Sequence, residues 1–253
     1  MTQTTSGART AAFFGAGSDI AVAVARRYAE IGWRLLLIGR DTAVLAATAA
    51  DLRVRGAAET HVLQADFACL EDLPSVAAAA WDRCGGIDVA LIAYGTMAPQ
   101  IDAEENATVA SNVIAINFTS PAILLNELAG RFQAQRHGTI AAITSVAGDR
   151  GRMSNYVYGA AKGGLQRLLE GLRHRLASAG VAVVDIRPGL AVTKMTAHLD
   201  RGGKLWASPD RIAADIAGAI AARRAICYTP WFWRLIMLIV RALPRSVFHR
   251  SSL

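Results

Sequence analysis

Thr10-Ala11-Ala12-Phe13-Phe14-Gly15-Ala16-Gly17-Ser18-Asp19-Ile20-Ala21 reads as an apolar run, a glycine turn and the start of a helix. A helical pattern continues through Ile20, Val24 and Tyr28 toward Gly32. Strand, glycine turn and helix together aim backbone N–H groups and the positive helix end at one point, which suits a diphosphate. Gly15, Gly17, Ser18, Asp19 and Ile20 are the candidate contacts. Asp19 would place a carboxylate beside that anion unless it turns outward as a helix cap.

The same alternation repeats along the chain. Strands are expected at Arg34 to Ile38, His61 to Gln64, Ile87 to Ala93, Ile140 to Ile143, Val181 to Ile186 and Ala225 to Tyr228. Helices are expected after Asp41, at Leu70 to Arg83, Glu105 to Arg131 and Pro209 to Ala222. Six βα units and a final edge strand predict one α/β domain over residues 1–230, a Rossmann-type doubly wound parallel sheet of about seven strands with helices on both faces. Residues 231–253 form a separate tail.

The 253 residues include 53% hydrophobic ones, and the mean hydropathy is +0.30. No run approaches the roughly 20 apolar residues of a membrane span. The start, MTQTTSGART, lacks a basic-then-apolar leader. Cys69, Cys84 and Cys227 have no metal-ligand spacing, so a reducing, cytoplasmic setting without a metal is expected. The net charge is +7, yet no acid follows Asp215 while Arg223, Arg224, Arg234, Arg241, Arg245 and Arg250 do. The body is nearly neutral, which argues against a nucleic-acid partner.

The stretch TSVAGDRGRMSNYVYGAAKGG, from Thr144 to Gly164, carries the chemistry. Tyr158 and Lys162 are four apart, so on a helix their side chains can meet. An ammonium beside a phenol favours the phenolate, which predicts a tyrosine that exchanges protons near neutrality. Ser145 follows a strand and can donate to the oxygen that Tyr158 protonates, an arrangement suited to carbonyl reduction or alcohol oxidation.

These residues, with the glycine turn, resemble the short-chain dehydrogenase/reductase family. The resemblance implies that Ser145, Tyr158 and Lys162 are catalytic, and that Asn117 kinks the long helix and orders a water linking the lysine to solvent. It implies cofactor contacts at Asp66 and Phe67 around an adenine, at Ala93 and Gly95, and at Pro188, Gly189 and Thr193 near the nicotinamide. The family's usual Asn-Ala-Gly is here Ala93-Tyr94-Gly95, and its second and third motif glycines are here Asp19 and Ala21. At the end of the second strand, Arg40 favours the 2′-phosphate of NADP(H) over NAD(H), with Asp41 left to cap the next helix. Family members pair through their long helices, so a homodimer or homotetramer is expected.

Arg150 and Arg152 lie between the serine and the tyrosine, where they are either solvated or hold an anionic substrate group. The segment from Met195 to Gly203 is expected to cover the substrate. In the tail, Trp231-Phe232-Trp233-Arg234-Leu235-Ile236-Met237-Leu238-Ile239-Val240-Arg241 has aromatic anchors, a basic face and no acid. That suits a helix lying in a membrane interface, the alternative being a helix packed on a partner subunit. AGDRGRMSNYVYGAAKGGL, RPGLAVTKMTAHL and YTPWFWRLIMLIVRALPRSVF further resemble the reductase partner of decaprenylphosphoryl-ribose 2-epimerase. This implies a lipid-linked keto-sugar as substrate, an oxidase partner and peripheral membrane contact. Another lipidic ketone (a sterol or 3-ketoacyl chain) and a non-catalytic NADP-binding subunit are the alternatives.

Overall fold

The computed structural model describes residues 8–197 and 203–250. The expected alternation is present from end to end. The chain runs β1 (Thr10–Phe14), α1 (Asp19–Glu30), β2 (Arg34–Gly39), α2 (Thr42–Val54) and β3 (Glu59–Gln64). A short 3-10 turn leads to α3 (Leu73–Cys84), β4 (Val89–Ile92), α4 (Gln100–Glu105) and α5 (Ala107–Ile114). A π-helical turn (Ala115–Thr119) joins α5 to α6 (Ser120–Gln135), followed by β5 (Thr139–Ile143), α7 (Tyr156–Leu176) and β6 (Ala182–Pro188). The chain closes with β7 (Leu190–Ala191), β8 (Trp206–Ala207), α8 (Pro209–Ala221), β9 (Ile226–Thr229), α9 (Trp233–Ala242) and α10 (Arg245–Phe248).

Seven strands form a parallel sheet in the order β3-β2-β1-β4-β5-β6-β9, and β7 pairs with β8 separately. Successive strand residues point to opposite faces. Phe13, Leu35 and Leu37 therefore pack against α1, α2 and α8, while Phe14, Leu36 and Ile38 face α3, α6 and α7. Both faces are covered, which is why β1 and β2 are almost uninterrupted apolar runs.

The order reverses at β1, with β2 on one side and β4 on the other. In sheets of this kind the crevice beyond that reversal, at the carboxyl ends of the strands, receives ligands. The long helix is continuous over Ala107–Gln135 and passes the length and hydropathy of a membrane span, with one-third buried inside the molecule. In the fold it is a layer helix, packed on α3 and α7 and bearing the buried Asn117 and Ser120. Asn106 caps its start by accepting from Thr108 and Val109 N–H.

Candidate active site

The glycine turn is fixed by the Gly15 and Ala16 N–H groups, which donate to Ile38 C=O at 2.9 and 3.0 Å. Ser18 occupies the N-cap of α1 but its side chain does not cap it. Asp19 lies in the first turn of α1 rather than capping it. Its Oδ2 accepts from Lys194 N–H at 2.8 Å, and the Lys194 ammonium lies 3.8 Å from Oδ1. The carboxylate ties the turn to the segment after Thr193. Thr193 itself opens a 3-10 turn, with its N–H donating to Thr196 Oγ1 at 3.2 Å. Residues 198–202 of the expected substrate cover lie outside the described residues.

At the end of β2, Arg40 is exposed and Asp41 caps α2, accepting from Ala43 and Val44 N–H at 3.0 Å each. Arg40, Gln64, Ala65, Asp66 and Val76 line a cleft of about 510 Å3. Asp66 accepts from Ala68 N–H in the turn beyond β3. The Phe67 ring is buried and stacked on Tyr94, with centroids 4.0 Å apart and planes within 1°. Tyr94, the family's alanine position, is thereby accounted for: its ring fills the core beside Phe67 and its hydroxyl meets Ser120 Oγ at 2.9 Å. Ala93 N–H bonds Phe14 C=O.

Ser145, Tyr158, Lys162 and Asn117 converge at the ends of β4 and β5. The Ser145 hydroxyl lies beside the Tyr158 phenol and favours its ionised form. Ser145 Oγ also accepts from Ala147 N–H at 3.1 Å, which orients it. Lys162, one turn of α7 beyond Tyr158, is 3% exposed, and its Nζ donates to Ile143 C=O at 3.1 Å. Asn117 is fully buried within the π turn. Its Nδ2 donates to Val113 C=O at 2.8 Å and to Thr96 C=O at 2.7 Å, so the amide stabilises the bulge and holds the strand-end loop. Gly95 joins the group by close approach, since a Cβ there would sit 2.7 Å from Asn117 Oδ1 and 3.4 Å from Lys162 Nζ. Gly95, Thr96, Met97, Pro99, Lys194 and Met195 line an adjacent cleft of about 370 Å3. A larger concavity, about 990 Å3, lies elsewhere, lined by Arg9, Trp33, His137 and Arg223 and by none of these residues.

The electrostatics correct one expectation. Burial pushes the Tyr158 phenol up to about 12, and the Ser145 hydrogen bond only partly opposes it. Burial also pulls the Lys162 ammonium down to about 8, against the pull of Asp185. Lys162 Nζ lies 5.7 Å from the Tyr158 ring centroid. Desolvation of the phenolate outweighs the contribution of Ser145 and holds the phenol above its ordinary value.

Sequence reasoning missed the frame behind these groups. Gln166, one more turn along α7, is buried and donates to Ser145 C=O at 2.8 Å. The stripe Tyr158, Lys162, Gln166 at spacing four was the available signal. Arg187 is buried between Asp185 (2.7 Å) and Asp149 (2.8 Å) and also donates to Tyr228 Oη. Tyr228 donates to Asp149 at 2.7 Å and Thr144 to Asp185 at 2.6 Å. Burial works against the Arg187 charge, but Asp185 and Asp149 hold its pKa above the ordinary guanidinium value. This network pins the loop after Ser145 to β6 and β9.

The two loop arginines separate. Arg150 Nη1 donates to Val240 and Leu243 C=O at the end of α9, the latter at 2.8 Å, and its guanidinium stacks 3.8 Å over Phe248. It anchors the tail, which neither sequence alternative anticipated. Arg152 has a buried Nε with no hydrogen-bond partner among the described residues, and burial lowers its pKa against the pull of Asp149. The tail meets the site directly: Trp233 and Met237 pack with Val146, and a Cβ at Gly189 would fall 1.9 Å from the Trp233 ring. Pro188 ends β6, and Gly189 N–H bonds Thr229 C=O.

The residues present fit a dinucleotide. The first turn of α1 has no side-chain cap, Gly17 faces open space, and the Arg40 cleft adjoins the end of β2. Comparison with known proteins agrees. The short chain dehydrogenase family matches residues 9–203. An uncharacterized oxidoreductase of Mycobacterium tuberculosis is 33% identical over 244 residues, 96% of this chain and 97% of that one. A granaticin polyketide synthase protein of Streptomyces violaceoruber, named as ketoacyl reductase 1, is 33% identical over 183 residues, 72% of this chain and 67% of that one. Among solved structures, a short-chain dehydrogenase from Sphingobium yanoikuyae in complex with NADPH has the same fold, with a TM-score of 0.79 at 24% identity over 94% of this chain and 97% of that one. The chain belongs to the short-chain dehydrogenase family, oxidoreductases that act on alcohols and ketones with a nicotinamide cofactor.

Proposed function

We propose that the protein is an NADPH-dependent reductase of a ketone. The observation that carries this is the convergence of the Ser145 hydroxyl, the Tyr158 phenol and the buried Lys162 ammonium at the ends of β4 and β5. A bound nicotinamide supplies the hydride. Tyr158 gives its proton to the substrate oxygen, and Ser145 donates a second hydrogen bond to the same oxygen as negative charge develops there. Lys162, poised at about 8, returns a proton to Tyr158, and Asn117 fixes the loop through Thr96 beside it. The 2′-phosphate of NADPH is favoured by Arg40, because Asp41, the residue that follows it, is engaged as a helix cap.

For the substrate, the unpaired Arg152 Nε supports an anionic group on the ketone, as in a polyprenyl-phosphate-linked 2-keto-pentose. A second reading, a 3-ketoacyl chain, draws on the similarity to the granaticin protein. NADPH oxidation would be followed with each ketone in detergent, using wild type, Tyr158→Phe and Arg152→Ala. The expected result is turnover of the phosphate-linked ketone, at least about 100-fold slower in Tyr158→Phe and with a raised KM in Arg152→Ala. Equal KM values in wild type and Arg152→Ala, with 3-ketoacyl turnover, would move the assignment to the acyl ketone. Arg40→Ala is expected to raise the KM for NADPH and leave that for NADH unchanged.

A further inference from the structure

We propose that α9 is an interfacial helix that seats the substrate side of the protein on an anionic bilayer. The helix is sharply two-sided. Trp233 and Met237 are buried, with Ile236 and Val240 half-buried beside them against Val146, Leu190 and Tyr228. The opposite stripe holds Leu235, Leu238 and Ile239, which are 53%, 65% and 64% exposed, and Trp231 in the preceding turn is 64% exposed. Positions 235, 238 and 239 share one helical face, so these side chains form an apolar strip, and Trp231 stands exposed in the turn just before the helix.

Charge identifies the occupant. Arg234 and Arg241, two turns apart, flank the strip and are exposed, and Arg245 and Arg250 follow on and after α10. No acidic residue follows Asp215 to oppose them. An aliphatic strip with an indole just before it, edged only by arginines, matches the acyl–headgroup boundary of a bilayer with negative lipids. A second copy of the chain fits less well, because four exposed side chains fall far short of the 20–30 residues a side of a standard protein interface.

The helix is also held firmly enough to act as a platform. Arg150 clasps the carbonyls at its C-terminal end and stacks on Phe248, while Trp233 is wedged against Gly189. Gly189 and Val146 touch the inner face of α9, so the site lies about one helix diameter, 10–12 Å, from the outer face. A membrane-borne ketone would meet the site beside the surface that carries it. This geometry does not depend on which ketone is reduced.

Flotation of the full chain with vesicles of phosphatidylcholine, or of phosphatidylcholine and phosphatidylglycerol at 3:1, tests the proposal. Binding is expected to the anionic vesicles, falling as salt rises and at least tenfold weaker on neutral ones. Leu238→Glu with Ile239→Glu should abolish it. Arg234→Gln with Arg241→Gln should weaken it by roughly 25-fold, at about fivefold per arginine. Both variants change exposed side chains, and unchanged circular dichroism and Tm would show that they fold. No binding to either vesicle would overturn the proposal, as would binding indifferent to lipid charge. A concentration-dependent dimer that the Leu238→Glu, Ile239→Glu variant dissociates would assign the strip to a second copy instead.

Discussion

Replacing Lys162 with methionine separates what the lysine does for catalysis from what it does to stability. In the folded protein the ammonium is buried and its pKa falls from 10.5 to about 8. The unfolded chain therefore binds the proton more tightly than the folded one, and folding carries a penalty wherever the lysine is charged in both states. That penalty is complete below about pH 7 and is relieved as pH rises from 8 toward 10.5, the reverse of a lysine stabilised by a partner. A shift of 2.5 units corresponds to about 3 kcal/mol at full extent. Between pH 7 and 9.5 the wild type should regain about 2 kcal/mol relative to Lys162→Met. The variant also leaves Ile143 C=O without its donor, a cost of about 1–3 kcal/mol that does not vary with pH and so cancels from the difference. Urea denaturation of both proteins at pH 7, 8.25 and 9.5, without cofactor, measures it. A stability difference constant within about 0.5 kcal/mol across this range would refute the assignment of a strongly depressed lysine. Activity gives the companion readout: reductase turnover should collapse in the variant at every pH, whether its stability rises or falls.

Three further outcomes follow from the geometry. Gly189→Ala places a methyl within 1.9 Å of the Trp233 indole, so the ring must leave its seat; stability should fall by about 1–3 kcal/mol with red-shifted tryptophan emission, and an unchanged Tm would contradict the packing of α9 on the site. Arg150→Ala removes the clasp on Val240 and Leu243; limited proteolysis should then cut near residues 241–245 several-fold faster, with the KM for ketone little changed, whereas a large KM increase would return Arg150 to substrate binding. Asp19→Asn keeps an acceptor for Lys194 N–H but removes a negative charge from the diphosphate turn; the KM for cofactor should fall several-fold, more at low salt, and a rise would mean that the carboxylate's hold on Lys194 matters more than its charge.

Much of the fold was legible because two periodicities rarely conflict in this chain. Apolar runs of four to seven residues bounded by glycine or charge became strands, and the ends expected for β1 and α8 lie within a residue of those observed. The catalytic set was legible because Tyr158 and Lys162 are separated by one helical turn, a spacing that fixes geometry before any tertiary contact forms. What could not be read depends on partners distant in sequence. Asp149, Arg187 and Tyr228 are 38 to 79 residues apart and meet only because β5, β6 and β9 are neighbours. Arg150 finds its partners 90 and 93 residues away, on a helix that the sequence had set apart as an appendage.

The Tyr158 misreading has a different origin and says more about the site. Spacing predicts that the ammonium and the phenol are close, but the sign of the pKa shift depends on how much water both lose. The burial of Lys162 that brings it beneath the tyrosine also lowers its own pKa to about 8, so the cation that should acidify the phenol is itself close to losing its proton. A phenol at about 12 beside an amine at about 8 is a donor backed by a proton source, not a phenolate backed by a fixed charge. That polarity suits reduction, in which the substrate oxygen must receive a proton. For alcohol oxidation, Tyr158 would first have to lose its proton from a buried position, which predicts a markedly higher pH optimum in the oxidative direction than in the reductive one. Coincident optima would mean that the tyrosine's protonation state in the loaded enzyme is set by something other than its burial.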